Sequence, residues 1–358
     1  MSDQLRVGLV GAGQIGFKRA AVVSKDPMAA LLMVADVQKE RAREVASCWG
    51  AEGCHVTTDW EEVVASPDLD VVIVSTVNKF LAPISIAALQ SGKHVLCEKP
   101  MGRNLVEAQE MAKAAQSAGR LLKIGFNHRY YPAIRKAYEL CTQGEIGPLF
   151  FIRCIYGHGG RPGYEKEWRA DPNLAGGGEL LDQGVHIVDL CRWFLGDFAE
   201  VYGVTATYFW NLGYFPPAEN KQSPSARNQL EDNAFAILHT ASGQVAFWHT
   251  SWTQWKNCFR FEIYGRDGYI RVEGRGGSYG PQRLTLGRRR PESGPPEEEV
   301  WEFPDTDVSW EAEWADFAAA IGEGRRPMGD EKDGLQAMRL IDAIYRSARE
   351  RHPVSVSL

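Results

Sequence analysis

The chain has 358 residues, of which 44% are hydrophobic and 24% charged, and its formal net charge is −6. This length predicts two domains, each large enough for its own core. The modest charge, with no basic stripe, argues against a nucleic-acid partner, and no apolar run approaches the roughly 18 residues that cross a membrane. The first predicted strand begins by Leu5, which leaves no room for a secretory signal, so we expect a cytoplasmic protein.

The cysteines indicate packing rather than chemistry. The seven residues are odd in number, scattered along the chain and never in C-x-x-C spacing. This pattern predicts reduced thiols, and it favours neither a disulfide framework nor a zinc site.

Residues 6–16 predict a dinucleotide-binding turn. An apolar strand leads into three glycines spaced G-x-G-x-x-G, at Gly11, Gly13 and Gly16, and a helix-forming segment follows. Gly11 allows the tight turn, Gly13 lets the backbone approach a pyrophosphate, and Gly16 lets the helix pack closely on the strand. The helix N-terminus then offers N–H groups and a positive dipole end to the phosphates.

An acidic residue ends the second predicted strand. Residues 31–36 are apolar as far as Asp36, which lies twenty residues after Gly16. A carboxylate at this position accepts hydrogen bonds from the ribose hydroxyls and repels a 2′-phosphate, which favours NAD over NADP. Three basic residues follow within the next seven positions, so NADP use stays open.

Strands and helices alternate as far as residue 126. Strands are predicted at residues 5–10, 31–36, 55–57, 70–76, 94–98 and 121–126, with helices at 17–24, 39–49, 59–64, 83–91 and 105–118. This alternation is typical of βαβ units, so we expect a Rossmann domain with a doubly wound parallel sheet over residues 1–126.

The pattern changes after residue 127. A helix is predicted at 132–142, a strand at 149–156, a glycine-rich loop at 157–177 and a helix at 179–195. Consecutive strands follow at 199–210, 232–240, 244–250, 259–264, 268–273, 283–286 and 300–303, with solvated loops at 211–228 and 287–299 and closing helices at 309–322 and 332–349. Runs of strands predict a second α/β domain, over 127–358, with a large open and mostly antiparallel sheet.

Residues just after the parallel strands are candidates for chemistry, because ligands of open α/β sheets bind at the carboxyl ends of the strands. The hydroxyls and amide of residues 75–78 suit either the nicotinamide ribose or an ordinary turn. Pro100 constrains Lys99 to an extended conformation, which aims its ammonium group. A lysine there can stabilise an alkoxide or take part in proton transfer, and the alternative is a surface lysine before a turn.

A helical face after three glycines carries the third group of candidates. Asp182, His186 and Asp189 are spaced i, i+4 and i+7, so they share one face of the predicted helix. A carboxylate one turn from an imidazole can orient it and make it a general base. The alternatives are a surface ion pair and a zinc site, but no third ligand has a supporting spacing.

Five features of the chain resemble motifs of the Gfo/Idh/MocA family, the oxidoreductases related to glucose–fructose oxidoreductase, inositol dehydrogenase and MocA. They are the glycine turn, Asp36, residues 75–78, the Glu98-Lys99-Pro100 sequence, and the D-x-G-x-H pattern of residues 182–186. Their order and spacing match over essentially the entire chain. The family frequently has Thr-Pro-Asn and then a histidine where this chain has Val77 and Leu81.

The resemblance implies a Rossmann domain followed by an α/β domain whose open sheet often assembles dimers or tetramers, so we expect a homodimer or homotetramer. It also implies Lys99, Asp182 and His186 as the catalytic set, and often a cis peptide before Pro100.

The residues and the resemblance lead to one mechanistic hypothesis. A secondary alcohol of a sugar, cyclitol or sugar nucleotide lies between Lys99 and His186, and His186 takes the hydroxyl proton while a hydride moves to the nicotinamide. Asp182 steadies the imidazolium, and Lys99 stabilises the developing oxyanion. Two alternatives stay open: an NAD-dependent, redox-assisted glycoside hydrolase, and a non-catalytic nucleotide-binding regulator.

The expected binding residues form two sets. Cofactor contacts are expected from Gly11, Gly13, Gln14, Ile15, Gly16, Asp36, Val37, Ser75, Thr76, Asn78, Glu98, Lys99 and Asn127. Substrate contacts are expected from Lys99, Arg129, Arg161, Tyr164, Trp168, Arg169, Asp182 and His186, and no metal ligand is expected. Aromatic side chains stack on sugar faces and arginines bind carboxylate or phosphate, although a solvated loop with one anchoring tryptophan is the alternative.

Overall fold

The computed structural model describes residues 4–210 and 230–356, so the predicted loop at 211–228 lies outside the described residues. The chain divides into two compact units, Met1–Asn127 with Trp310–Met338 and His128–Ser309 with Arg339–Leu358. This division differs from the predicted domains 1–126 and 127–358, because residues 310–338 belong to the first unit. Trp314 and Phe317 of that segment share a hydrophobic core with Val7 of the first strand.

The first unit is a parallel sheet with helices between its strands. In the described residues its strands are β1 (Leu5–Val10), β2 (Ala29–Ala35), β3 (His55–Thr57), β4 (Val71–Val74), β5 (His94–Cys97) and β6 (Leu122–Ile124). The helices that alternate with them are α1 (Gln14–Lys25), α2 (Lys39–Trp49), α3 (Trp60–Ala65), α4 (Asn78–Gln90) and α5 (Leu105–Ala118). The strand order β3-β2-β1-β4-β5-β6 is that of a Rossmann fold.

Helix α4 differs from its prediction. The sequence predicts a helix that starts at Pro83, but the helix starts at Asn78 and contains Pro83 in its second turn. Proline lacks the N–H that would bond to the carbonyl four residues earlier, so one backbone hydrogen bond is lost. Leu81 and Ile84 are buried on either side of the proline, and this packing outweighs the local signal.

A buried cluster of four charged side chains links residues 310–338 to the sheet of the first unit. The Arg19 guanidinium lies 2.6 Å from the Glu98 carboxylate and 2.7 Å from that of Glu313, and Lys123 lies 3.6 Å from Glu313. Burial alone would lower the pKa of Arg19, but the two carboxylates outweigh this effect and raise it above its usual value. Through two cations and two anions, the cluster therefore joins residues 310–338 to α1, to β6 and to the end of β5.

Replacing Glu313 with Gln is expected to lower the free energy of unfolding by about 3–5 kcal/mol, because it leaves an uncompensated buried positive charge. Urea unfolding followed by circular dichroism measures the change. Glu311→Gln is the matched control, because Glu311 pairs with Lys25 at a largely exposed site and its removal should cost no more than about 0.5 kcal/mol. Equal losses in the two variants would contradict a stabilising role for the buried cluster.

The second unit is built on a larger sheet. Its elements before the strand series are α6 (Pro132–Thr142), β7 (Leu149–Gly157), α7 (Pro172–Ala175) and α8 (Val185–Leu195). The strands that follow are β8 (Phe198–Ala206), β9 (Asn233–Thr240), β10 (Val245–Ser251), β11 (Cys258–Gly265), β12 (Gly268–Glu273), β13 (Arg283–Arg288) and β14 (Glu297–Glu302). The last elements are helices α9 (Ser309–Glu323) and α10 (Glu331–Glu350) and strand β15 (Val354–Ser355). Each of these two helices has residues in the first unit and residues in the second.

The strand order of the second sheet in the described residues is β14-β13-β12-β11-β7-β10-β9-β8-β15. All neighbouring strands pair antiparallel except β7 and β10, which are parallel. The predicted α/β fold with a mostly antiparallel second sheet is therefore confirmed. The predicted loop at 287–299 is shorter than expected, because β13 runs to Arg288 and β14 begins at Glu297.

Candidate active site

The glycine turn after β1 has the geometry that a dinucleotide requires. Gly11 has a φ of +96°, and a Cβ there would lie 2.6 Å from the carbonyl oxygen of Ser75 at the end of β4. A Cβ at Gly16 would lie 1.9 Å from the carbonyl oxygen of Gly11, whereas a Cβ at Gly13 would meet no atom within 4 Å. Gly11 and Gly16 thus allow close packing inside the protein, and Gly13 leaves the backbone open to a ligand.

Helix α1 begins at Gln14 directly after this turn, and its N-cap Gly13 supplies no side-chain hydrogen bond to the first N–H groups. Anions bind such helix N-termini through the N–H groups and the helix dipole. Ser75 fixes the turn from the neighbouring strand, since its hydroxyl donates to the carbonyl oxygen of Gly11 over 2.7 Å. The turn therefore fits a pyrophosphate, and Ser75 has a structural role in shaping it.

Asp36 lies where the ribose-binding acid is expected, immediately after β2. Its carboxylate accepts hydrogen bonds from the backbone N–H groups of Ala12, over 2.7 Å, and Gln38, over 2.8 Å. The carboxylate is thereby fixed beside the glycine turn. Val37, next to it, is exposed. This arrangement fits the adenosine ribose of NAD.

The two residues that follow β5 have different roles: Glu98 anchors the segment, and Lys99 is a candidate catalytic residue. Glu98 is a predicted cofactor residue, but its carboxylate accepts two hydrogen bonds from Arg19, over 2.8 and 2.6 Å, so its side chain holds the segment in place. Lys99 is half-buried, and the peptide bond between Lys99 and Pro100 is cis, as the resemblance implies. Asn78 and Asn127, the two predicted asparagines of this unit, are both buried, whereas Gln14 is exposed.

In the second unit, the candidate catalytic residues lie on a distorted helix start. The sequence predicts one helix from 179 to 195, but a π-helical turn, Leu180–Gly184, precedes α8. Such turns occur frequently at functional sites. Asp182 lies within the π-turn and His186 is the second residue of α8, where it is buried.

Glu231 anchors the start of this π-turn. Its carboxylate accepts hydrogen bonds from the N–H groups of Gly178 and Leu180, each over 3.1 Å, and from the hydroxyl of Tyr345 over 2.7 Å. A Cβ at Gly178 would lie 2.1 Å from the Glu231 carbonyl oxygen, and one at Gly177 would lie 2.3 Å from the Tyr345 hydroxyl. The glycines that precede the candidate base therefore permit close packing against this buried anchor.

Asp189, the third member of the predicted helical face, forms an ion pair with a residue outside the helix. Arg129 donates to both of its carboxylate oxygens, over 2.8 and 2.5 Å, and both side chains are at most 2% exposed. Arg129, a predicted substrate residue, therefore forms a buried bidentate ion pair, and this structural role accounts for an arginine at this position. Asp189 is likewise a structural partner of Arg129.

The glycine-rich loop surrounds Asp182 with charged and polar groups. Arg169 lies 3.4 Å from the Asp182 carboxylate. Burial alone would lower the pKa of Arg169, but the charges of Asp182 and its other neighbours outweigh burial and raise it. The Arg169 guanidinium also lies over the ring of Trp168, 4.5 Å from its centre. Arg161 is fixed in the same loop by Glu167, over 2.7 Å. Both loop arginines are thus paired with carboxylates.

Tyr164 differs from its predicted role. It is 3% exposed and packs with Trp210 and Trp252 in a small apolar cluster. Burial raises the pKa of Tyr164 above its usual value, so the phenol stays protonated. Its ring contributes to packing in this cluster, whereas Trp168 is only partly buried, with the Arg169 guanidinium over one face of its ring.

His158, at the beginning of this loop, is held in its neutral form. Its Nδ1 atom accepts a hydrogen bond from the N–H of Gly160 over 2.9 Å. Burial lowers the pKa of His158 to about 4, although the charge of Asp182 acts in the opposite direction.

This shift predicts a pH dependence of stability. In the unfolded chain a histidine takes up a proton near pH 6.5, whereas native His158 does so only near pH 4. Between these values protonation favours the unfolded chain, so the free energy of unfolding is highest at pH 7 and decreases as the pH falls. Between pH 7 and pH 5 the wild type should lose about 1–2 kcal/mol more than His158→Asn, whose amide oxygen can replace Nδ1. Urea unfolding at the two pH values measures this, and equal losses would contradict it.

The sequence did not single out several of these residues. His128 stacks on His186, His158 lies near Asp182, and Glu231 and Tyr345 fix the π-turn. A glycine-rich lead-in signals a tightly packed neighbour, but the identity of that neighbour, about fifty residues away, is not encoded locally.

Residues 4–210 and 230–356 contain no group of three or more histidine, cysteine, aspartate or glutamate side chains able to hold a metal ion. No helix in the same ranges is long and apolar enough to cross a membrane. The seven cysteines are free thiols, and burial raises the pKa of Cys97 to about 12.

Comparisons with known proteins agree with these features. The model for the NAD-binding Rossmann fold of the GFO/IDH/MocA oxidoreductase family matches residues 5–126, and the model for the GFO/IDH/MocA C-terminal domain matches residues 134–271. Levoglucosan dehydrogenase of Pseudarthrobacter phenanthrenivorans is 28% identical, with 99% of this chain and 98% of the relative covered. Inositol 2-dehydrogenase of Rhizobium meliloti is 29% identical, with 99% of both chains covered.

Solved structures give the same result. The structure of levoglucosan dehydrogenase in complex with NADH and levoglucosan matches with a TM-score of 0.87 at 26% identity, covering 99% of this chain and 100% of that one. The fold and the glycine turn define an NAD-binding oxidoreductase of the Rossmann type. More specifically, the chain belongs to the Gfo/Idh/MocA family. The predicted family and cofactor are therefore confirmed, and the protein is an NAD-dependent dehydrogenase.

Proposed function

We propose that this protein oxidises a secondary alcohol of an uncharged monosaccharide or cyclitol, with NAD as the hydride acceptor. The observation that supports an uncharged substrate is that both arginines of the glycine-rich loop are paired with carboxylates. Arg161 is held by Glu167, and Arg169 is held by Asp182. Both charges are compensated by carboxylates of the chain, so these arginines offer no ready site for a phosphate or carboxylate. The partly buried Trp168 suits the apolar face of a sugar ring.

The relatives support the same substrate class. Levoglucosan dehydrogenase and inositol 2-dehydrogenase are named for a neutral anhydrosugar and a neutral cyclitol, and one related structure holds levoglucosan. Sugar nucleotides, which the sequence left open, fit the compensated loop less well.

Each member of the proposed catalytic set has a distinct task. His186 takes the proton of the alcohol as a general base, and Asp182 stabilises the imidazolium that results. Lys99 stabilises the negative charge that develops on the substrate oxygen. When bound, NAD accepts the hydride that leaves the carbinol carbon. Asp36 would hold its ribose, and the turn from Gly11 to Gly16 would hold its pyrophosphate.

The open face of the second sheet supports the proposed homodimer or homotetramer. Exposed apolar side chains lie together on β7, β8, β9 and β10, namely Ile155, Tyr202, Val204, Ile237 and Phe247. A contiguous exposed apolar face marks a protein interface. Ile237→Asp should convert the assembly to monomers in size-exclusion chromatography with light scattering. An unchanged mass would exclude this face as the interface.

Paired substrates test the uncharged class. Initial rates are measured with NAD on neutral compounds and on their charged counterparts, such as glucose with glucose 6-phosphate and glucuronate, or myo-inositol with an inositol phosphate. We expect kcat/KM to be at least tenfold higher on the neutral member of the preferred pair, since a buried anion without a partner costs several kcal/mol. A charged compound that is turned over faster than its neutral counterpart would overturn this proposal.

A further inference from the structure

His128 lies directly against the candidate base. The rings of His128 and His186 are stacked, with centroids 3.8 Å apart and planes inclined by 23°. His128 is 3% exposed and His186 is 5% exposed, so the two rings form a buried pair. His128 belongs to the short 3₁₀ turn Asn127–Tyr130, and His186 lies in the first turn of α8.

Other aromatic rings fix His128 in turn. The ring of Tyr131 meets it edge-on at 5.0 Å, the ring of Tyr156 on β7 lies at 5.4 Å, and that of Phe259 on β11 lies at 6.1 Å. The Arg275 guanidinium lies over the rings of both tyrosines and packs against them. The plane of His128 is therefore determined by packing that does not involve α8.

A fixed flat ring restricts the imidazole stacked on it. Rotation of His186 about its side-chain bonds would break the parallel contact at 3.8 Å, so the stack limits the orientations that its two nitrogen atoms adopt. A general base depends on orientation, because proton transfer requires the nitrogen to be within hydrogen-bond reach of the hydroxyl. A small misorientation is enough to slow the reaction substantially.

We propose that His128 is a positioning residue, which holds the imidazole of His186 in the plane it needs to accept the substrate proton. This inference rests on the proposed role of His186 as the base. It assigns to His128 no contact with substrate or cofactor. What His128 supplies is a flat ring at a fixed place, and an aromatic side chain of another kind should supply much of the same effect.

Two substitutions of similar size separate the ring from the bulk of the side chain. His128→Phe keeps a flat ring, and His128→Leu fills the site without one. With NAD and the preferred alcohol, we expect His128→Leu to lower kcat by about 10–100-fold. The KM for the alcohol and the affinity for NADH, measured by fluorescence titration, should stay within about threefold. His128→Phe should keep at least about one third of the wild-type kcat. The deuterium isotope effect on kcat, with substrate labelled at the carbinol carbon, should be larger in His128→Leu because chemistry limits turnover.

The outcomes separate this inference from the proposed function. A wild-type kcat in His128→Leu, together with an inactive His186→Ala, would overturn the role of His128 alone. Equal impairment of the Phe and Leu variants would also overturn it, because the flat ring would then not matter. An active His186→Ala would overturn both assignments. Thermal unfolding checks that the variants fold, and His128→Asn provides a smaller ring-free substitution if the Leu variant is unstable.

Discussion

His186→Ala is expected to lower kcat by about 10²–10⁴-fold while NAD affinity stays within about threefold. The alcohol proton then has no positioned acceptor, so the loss should appear in the chemical step. His186 is a residue of the second unit, whereas the glycine turn and Asp36 belong to the first, which is why cofactor binding should be preserved. Steady-state kinetics and NADH fluorescence titration measure the two quantities.

The matched control is His55→Ala, because His55 is an exposed histidine on β3 that pairs only with Glu62 in the described contacts. This variant should keep wild-type kcat. Nearly full activity in His186→Ala would remove the residue from the base role. A large loss in both variants would point to a general effect on the protein.

Lys99→Met is expected to lower kcat/KM by about 10²–10³-fold, because removing one donor to a developing oxyanion costs this much. The methionine side chain is of similar length and removes only the charge and the hydrogen-bond donors. The backbone at this position should be unaffected, since Glu98 stays anchored on Arg19. Lys99→Arg should recover only part of the activity, because the guanidinium differs from the ammonium in shape and donor directions.

Lys113→Met, at an exposed position on α5, is the control for loss of a lysine charge. It should leave kcat/KM unchanged. Wild-type activity of Lys99→Met would exclude the proposed oxyanion role, and loss of NADH binding instead of turnover would assign Lys99 to the cofactor.

The features that the sequence predicts well are local ones. The glycine turn follows from residues within six positions of one another, and its conformation matches, with Gly11 at positive φ and Gly13 open to a ligand. Asp36 lies where a strand of apolar residues ends, so its place beside the turn follows from the order of the elements. The alternation of strands and helices likewise determines the parallel sheet, because each βαβ unit has one preferred connection.

The features that the sequence does not predict depend on pairs far apart in the chain. Glu313 is nearly three hundred residues from Arg19, and the helix that carries it reads as an ordinary amphipathic segment. Asp189 shares a predicted helical face with His186, but its carboxylate binds Arg129, from another element. The fold decides which group pairs with a carboxylate, and spacing along one helix contains no information about partners on other elements.

The π-turn shows a further limit of helical spacing. The stretch from Leu180 to Gly184 has the composition of a regular helix, and the widened turn coincides with the place where Glu231 binds the preceding N–H groups. Because this anchor lies outside the helix, about fifty residues further along the chain, the sequence predicts the presence of Asp182 and His186 on one helix but not the shape of its beginning.

The most direct test of the dehydrogenase assignment is the NADH absorbance of the purified protein with NAD and a panel of neutral sugars and inositols. We expect NADH to accumulate in proportion to alcohol consumed with at least one class of compound, and NADPH to form more slowly when NADP replaces NAD. Glycoside cleavage without net NADH, which a redox-assisted hydrolase would give, would contradict the assignment. So would NADH binding with no turnover across the panel, as expected of a non-catalytic regulator.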